Sequence, residues 1–261
     1  MGSQNNNQSQ THGLLVQHDA VYTTHASLYD EIYFDEAKYE NEIEFVLKRT
    51  ALDPGHHEIL DVGCGTGTHI ASWARRGFRT HGVDLNEAML RQSQTKCPGA
   101  TLHQGDMRNF NFGRTFDLVT CMFGAINYVE SRVDLDLAVQ NLFRHTRPGG
   151  HVAFETRWSR TLPADAWFER IGDAVIGKKW TTGEGREGSD LYALTYIHLA
   201  SNLMFLDVHH MFNQDPFALV ELLERTGFAD VGLFENRHLP LPFTRTTQEN
   251  EAMIVARKPG V

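Results

Sequence analysis

Ile59-Leu60-Asp61-Val62-Gly63-Cys64-Gly65-Thr66-Gly67-Thr68 reads as an apolar strand that breaks into a glycine-rich turn and then into a helix. Glycines there let the backbone turn tightly and approach a ligand with no Cβ in the way. The turn alone does not name the ligand, because dinucleotide enzymes use one too. Its neighbours narrow the choice. Asp61, just before the first glycine, puts a carboxylate at the strand end, where it suits an ammonium or its water and would repel a pyrophosphate. That points to a zwitterionic ligand. Asp84 ends the next strand, RTHGVD at 79–84, and is placed to accept hydrogen bonds from both ribose hydroxyls, a position that NAD enzymes use as well. Asp106 follows a third strand, in Gly105-Asp106-Met107-Arg108, and suits an adenine amine with Met107 against the ring. A single aspartate in such a place is commonly a helix cap or turn residue. Three at successive strand ends are read as one site on which Asp61, Asp84 and Asp106 converge.

Outward from the turn, short apolar runs alternate with amphipathic stretches. THIASWARRG (68–77) predicts a helix stopped by Gly77, and Asn86 is expected to cap a helix running through Met89 and Leu90 to Cys97. Strands are expected at ATLHQ (100–104), FDLVTCMF (116–123) and HVAFET (151–156), with a helix over Val133–His145. This alternation implies right-handed βαβ units and a doubly wound parallel sheet. After Glu155 the pattern changes. Segments near 171–182 and 191–212, rich in Thr, Tyr, Val and Trp and interrupted by GEGREG, predict antiparallel strands inserted at about 159–213. The earlier rhythm returns with a helix at FALVELLERTG (217–227) and strands at DVGLFE (230–235) and EAMIVARK (251–258). The expectation is one domain over 14–261 with an N-terminal helical arm at about 14–50, behind a polar tail at 1–13 read as disordered or in part a remnant of cloning. The arm carries Tyr22, Tyr29, Tyr33 and Tyr39 and reads either as a cover for a cleft or as a helix packed on the body.

The chain has 261 residues, 41% of them hydrophobic, enough for a sizeable core. A formal charge of −9 without a basic block argues against nucleic acid as substrate. Three widely spaced cysteines suggest neither a disulfide framework nor a zinc site. No apolar stretch approaches the roughly 20 residues that span a bilayer, and no signal peptide is apparent. The expectation is a soluble cytoplasmic protein, with a homodimer left open.

At this point the chain resembles the class I S-adenosylmethionine methyltransferases. DVGCGTGTH (61–69), VDLNEAML (83–90), QGDMR (104–108) and FDLVTCMF (116–123) look like their successive motifs, in order. The resemblance implies a Rossmann-like α/β fold with a seven-stranded sheet, a reversed final strand and the cofactor across the carboxyl ends of the first strands. By it, cofactor contacts fall on Gly63, Cys64, Gly65 and Gly67, on Asp84, Leu85 and Met89, on Asp106 and Met107, and on Met122. Within the class the sequence looks most like the aminosugar N,N-dimethyltransferases of macrolide biosynthesis, through LYD (28–30), CGTGTH (64–69), ATLHQGDMRNF (100–110) and DVH (207–209). That likeness implies that Tyr22 and Tyr128 stand near the amine, that Tyr29 and Tyr39 close over the methionine end of the cofactor, and that the insertion covers the acceptor pocket. Two stretches depart from it. Glu155-Thr156-Arg157-Trp158 replaces the family's Glu-Pro-Trp-Trp, and Phe123-Gly124-Ala125-Ile126-Asn127-Tyr128 replaces a serine-rich run. Both line the acceptor pocket in the family, so the resemblance does not fix the acceptor.

Methyl transfer from a sulfonium is an in-line displacement with a good leaving group, so the protein need only supply alignment and exclusion of water, with positioning worth up to about 7–11 kcal/mol. An amine must be neutral to attack. Tyr22 and Tyr128 are the candidates for orienting it, with Glu155 or His209 as proton acceptor. His209 and His210 are adjacent on a strand and face opposite ways, so no metal is expected. An O-methyltransferase, an NAD-dependent oxidoreductase and a non-catalytic cofactor-binding module are the competing readings.

Overall fold

The computed structural model describes residues 16–158, 166–185, 189–235, 241–247 and 250–260. The tail expected at 1–13, the first residues of the arm, and 159–165 and 186–188 of the insertion lie outside the described residues.

The glycine-rich turn follows β2 (Glu58–Val62), all of whose residues are buried. Strand β3 (Arg79–Asp84) pairs with it in parallel, with Asp61 beside Gly82, and β4 (Thr101–Gln104) pairs with β3, with Asp84 beside Gln104. On the other side β5 (Phe116–Cys121) sets Thr120 beside Asp61, and β6 (Thr146–Arg157) sets Phe154 beside Cys121. Parallel registers bring the carboxyl ends of these strands to one edge. Beyond β6 lie β12 (Glu251–Arg257) and β11 (Ala229–Glu235), and β12 runs antiparallel to both neighbours. The seven-stranded order β11-β12-β6-β5-β2-β3-β4 is that of a class I methyltransferase with its reversed strand.

Strand side chains alternate faces, and the two faces bury different helices. Leu60, Val62, Val119, Phe154 and Ile254 pack on Leu135 and Leu142 of α5 (Arg132–His145) and on Leu219 of α6 (Pro216–Thr226). Ile59, Leu118, Ala153 and Met253 pack on Ile43 and Val46 of α2 (Glu36–Thr50) and Trp73 of α3 (Thr68–Arg75). Each fully buried aliphatic side chain contributes about 1.5–3 kcal/mol. Local signals agree: Asp35 caps α2 by accepting from the Lys38 amide, and α6 starts with Pro216 and stops at Gly227, whose φ is 112°.

Four strands inserted between β6 and α6, namely β7 (Trp167–Ile171), β8 (Ala174–Thr181), β9 (Asp190–His198) and β10 (Leu203–Met211), form an antiparallel sheet. The arm adds a fifth strand, β1 (Val16–His18), parallel to β10. The arm is therefore helical only from α1 (Tyr29–Tyr33) onward; before that it is a strand and two 3-10 turns, Ala20–Tyr22 and Ala26–Leu28. The buried face of the inserted sheet, with Leu194, Tyr196 and Phe205, packs on Val21, Tyr29 and Ile32 of the arm and Met89 of α4 (Glu87–Lys96). Two local expectations change. Asn86 occupies the N-cap of α4 without a side-chain capping bond, its amide instead donating to Asp84 Oδ1 at 2.8 Å. Strand β5 stops at Cys121, leaving Met122 and Phe123 in a turn where Phe123 has φ 57°.

Candidate active site

At the carboxyl edge of β2, β3 and β4 lies a cavity of about 310 Å³ lined by Gly63, Gly65, Asp84, Leu85, Met89, Asp106, Met107 and Met122, with Tyr22, Tyr29 and Tyr128 opposite. The turn is built for close approach. Gly63 has φ 70°, and a Cβ on it would stand 2.7 Å from that of Ala125. Gly67, with φ 78°, acts differently: a Cβ there would strike Ser93 of α4, so this glycine lets two helices approach.

Asp84 is buried, which pushes its carboxyl up, yet it is gripped by two amides, Gly65 N–H to Oδ2 and Asn86 N–H to Oδ1, both at 2.8 Å. A carboxylate offers about four acceptor positions, so room remains for a diol. Asp106 is held by Arg108, whose Nε lies 3.0 Å from both oxygens and keeps the carboxyl below its usual range. Arg108 also donates to Asp134 at 2.9 Å, and Asp134 bonds Ser131, the N-cap of α5.

Asp61 does not line this cavity. It is buried beneath the turn, where Thr120 Oγ1 donates to it at 2.7 Å and burial pushes its carboxyl up to about 6. Strand alternation and the parallel register with Thr120 turn it toward its neighbour. Two of the three aspartates thus meet in one cavity and the third supports the strand below. Cys64 is likewise buried, packed with Ile70 and Leu90. Tyr39 lines a separate outer groove of about 840 Å³ and touches the cavity wall through Phe123, with ring centroids 6.0 Å apart.

A second, larger cavity of about 1030 Å³ adjoins the first, walled by Tyr33, Trp180 and Tyr192 of the arm and inserted sheet. Tyr22, Phe123 and Tyr128 line both. The hydroxyls of Tyr22 and Tyr128 are 2.6 Å apart, and burial raises both phenols well above their ordinary value, so both are neutral. A row of alternating charge borders this larger cavity: Arg157 meets Glu251 at 2.7 Å, Glu251 meets Lys38 at 3.2 Å, and Lys38 meets Glu155 at 3.4 Å. The Arg157 guanidinium carbon lies 5.2 Å from the centre of the Trp180 ring.

Glu155 lines neither cavity. It is fully buried behind Lys38, and burial pushes its carboxyl up to about 7. His209 is also fully buried and lines neither; its Nδ1 lies 3.0 Å from Asp19 Oδ1 and 3.4 Å from the Tyr128 hydroxyl. Burial alone would lower its pKa, but Asp19 and Asp207 outweigh it and the imidazole is raised. Asp19, Lys38 and Asp207 escaped the sequence reading because the partners that place them at the site are distant in the chain, with only the DVH string hinting at Asp207; Arg108 was quoted in its motif, and its link to Asp134 of α5 was not legible there. Among the described residues no cluster of His, Cys, Asp and Glu is arranged to hold a metal, and no helix is long and apolar enough to cross a membrane.

A methyltransferase-domain family model matches residues 59–150. The dTDP-3-amino-3,4,6-trideoxy-alpha-D-glucopyranose N,N-dimethyltransferase of Streptomyces venezuelae is 39% identical over 204 residues, covering 67% of this chain and 85% of that protein. The crystal structure of DesVI from Streptomyces venezuelae superposes with a TM-score of 0.69 at 26% identity, over 91% of this chain and 98% of that one. The S-adenosylmethionine-bound amino pentose methyltransferase from Micromonospora echinaspora gives a TM-score of 0.70 at 24% identity, over 90% and 96%.

Proposed function

Because the chain belongs to the S-adenosylmethionine-dependent methyltransferases, we propose that it N-methylates the amine of an aminosugar, and that a nucleotide-linked aminosugar is the first acceptor class to test. The observation that carries this reading is the shared wall. One cavity offers glycine backbone and three aspartates, Asp19, Asp84 and Asp106, the other offers aromatic faces, and Tyr22, Phe123 and Tyr128 stand between them.

The residues fit the cofactor. Gly63 and Gly65 let it lie against the backbone, Asp84 takes the ribose hydroxyls, and Asp106 takes the adenine amine beside Met107. Asp61 acts one layer below, through the strand. When bound, the cofactor supplies a methyl on a sulfonium, whose sulfur departs as a neutral thioether. Tyr33, Trp180 and Tyr192 give the acceptor flat faces, which attract an amine-bearing sugar by dispersion and cation–π contact. Tyr22 and Tyr128, as neutral phenols, accept the amine's N–H and leave its lone pair aimed at the methyl. The proton the amine sheds passes to Glu155 by relay: Lys38, which lines the larger cavity, takes it up as it gives one of its own to Glu155 across their 3.4 Å contact. A hydroxyl acceptor would want a free imidazole as base, whereas His209 lines neither cavity and faces two carboxylates that raise its pKa.

The test is a panel of nucleotide-linked aminosugars, free amines and phenols incubated with the enzyme and S-adenosylmethionine, with products read by mass spectrometry. Methylated aminosugar is the expected product; methylation of phenols with amines untouched would overturn the reading. The homodimer that the sequence leaves open is tested by sedimentation, where a monomer mass would remove it.

A further inference from the structure

The buried face of β10 carries two polar side chains, Asp207 and His209, where its neighbours are Phe205 and Met211. Buried polar groups need partners, and a buried charge needs them most. Asp207 finds them in the arm: the Ala20 amide donates to Oδ1 at 2.9 Å and the Val21 amide to Oδ2 at 2.8 Å. These amides belong to the 3-10 turn that ends in Tyr22, and the first amides of a helical turn have no partner within it. A carboxylate from a strand far along the chain therefore caps the turn that bears the proposed amine-orienting phenol.

His209, on the same face, completes the attachment. Its Nδ1 meets Asp19, the residue before the turn, at 3.0 Å, and its Nε2 lies 3.4 Å from Asp207 Oδ2. Asp19 itself sits in the left-handed region with φ 53°, a conformation that costs free energy and must be held from outside. The groups facing the imidazole are Asp19 and Tyr22 from the arm, Tyr128 from the turn after β5, Tyr192 from β9 and Asp207 from its own strand.

We propose that Asp207 and His209 are positioning residues for methyl transfer, acting through Tyr22: they lock the turn so that its phenol meets Tyr128 at the wall between the two cavities. Neither touches a cavity, and both touch what carries Tyr22. The proposal rests on the N-methylation reading for its kinetic test and on geometry alone for its structural one.

In Asp207→Asn one amide-accepting oxygen becomes an NH2 that confronts a backbone N–H. The expected result is a fall in kcat of at least about tenfold, the scale of one lost charged hydrogen bond, with cofactor affinity by calorimetry changed less than about threefold. Asp207→Glu, which keeps the charge, should recover part of the rate. His209→Gln keeps an N–H for Asp19 without a titrating ring. It should fold and lose any alkaline decline in kcat that the wild-type enzyme shows in the raised imidazole range. Hydrogen exchange at Ala20 and Val21 reads the lock without any acceptor: both amides should be protected in the wild type and exchange at least about tenfold faster in Asp207→Asn. Unchanged exchange at these amides would overturn the proposal. So would a fall in kcat matched by an equal fall in cofactor affinity. If the wild type methylates no amine, the function fails and the exchange result still decides the lock.

Discussion

Asp84 has two backbone donors fixing its oxygens and spare acceptor capacity toward the cavity. Replacing it with alanine should weaken S-adenosylmethionine binding at least tenfold, in line with the about 1.5–3 kcal/mol carried by hydrogen bonds to a charged group. Calorimetry checks this, and unchanged affinity would remove the ribose assignment. Tyr22→Phe deletes one hydroxyl from the pair 2.6 Å apart and should lower turnover more than cofactor affinity; a normal rate would leave Tyr22 as wall packing. Gly63→Ala meets both a positive φ and the Ala125 methyl, so it should cost about 1–2 kcal/mol from backbone handedness alone, read as lost cofactor affinity and a lower Tm. At this scale the sequence was informative wherever a residue's role follows from its place at a strand end. Asp84, Asp106, Gly63 and Gly65 all line the cavity to which that place points, while Gly67 packs against Ser93. Asp61 shares their position and not their role, because only a register across strands reveals that Thr120 claims its side chain.

Helix ends and strand faces obey local rules, and most elements follow their sequence patterns. Ser131 accepts from the Asp134 amide at 3.1 Å while Asp134 holds Arg108, so this cap also steadies the partner of Asp106. Ser131→Ala should cost about 1 kcal/mol and lower Tm by about 2–4 °C for a chain of this size, measurable by differential scanning fluorimetry. The elements that pattern reading missed are those whose formation depends on another segment. β1 is three residues long and exists because β10 offers it an edge. The 3-10 turn before Tyr22 has no side-chain cap of its own and relies on Asp207. Neither dependence leaves a mark in the local spacing of apolar residues.

Across the whole molecule the alternation of strands and helices was enough to give a doubly wound parallel sheet, and the resemblance supplied its seven strands and the reversed last one. The joining of arm and insertion into one sheet was not legible, since it pairs residues nearly two hundred positions apart. Titration acts at this scale. His209 has a raised pKa, so its contribution is whole below the unfolded value of about 6.5 and is lost as pH climbs through the folded one. Asp61 and Glu155 are raised to about 6 and about 7, so each becomes a growing burden as pH rises from the ordinary carboxylate range through those values. Asp106 and Asp207 are lowered, and their contributions are complete above about pH 4. The signs agree on a Tm maximum near pH 4–5, where the lowered aspartates are ionised and the raised carboxyls still largely protonated, with a decline up to about pH 7; a Tm still rising from pH 5 to 7 would contradict them.

Tyr22, Phe123 and Tyr128 form a wall shared by two chambers, one of about 310 Å³ and one of about 1030 Å³. An inhibitor that tethers an adenosyl group to an amine through a bridge of a few atoms would lie across that wall and draw affinity from both chambers at once. Compounds of this kind should compete with donor and acceptor alike.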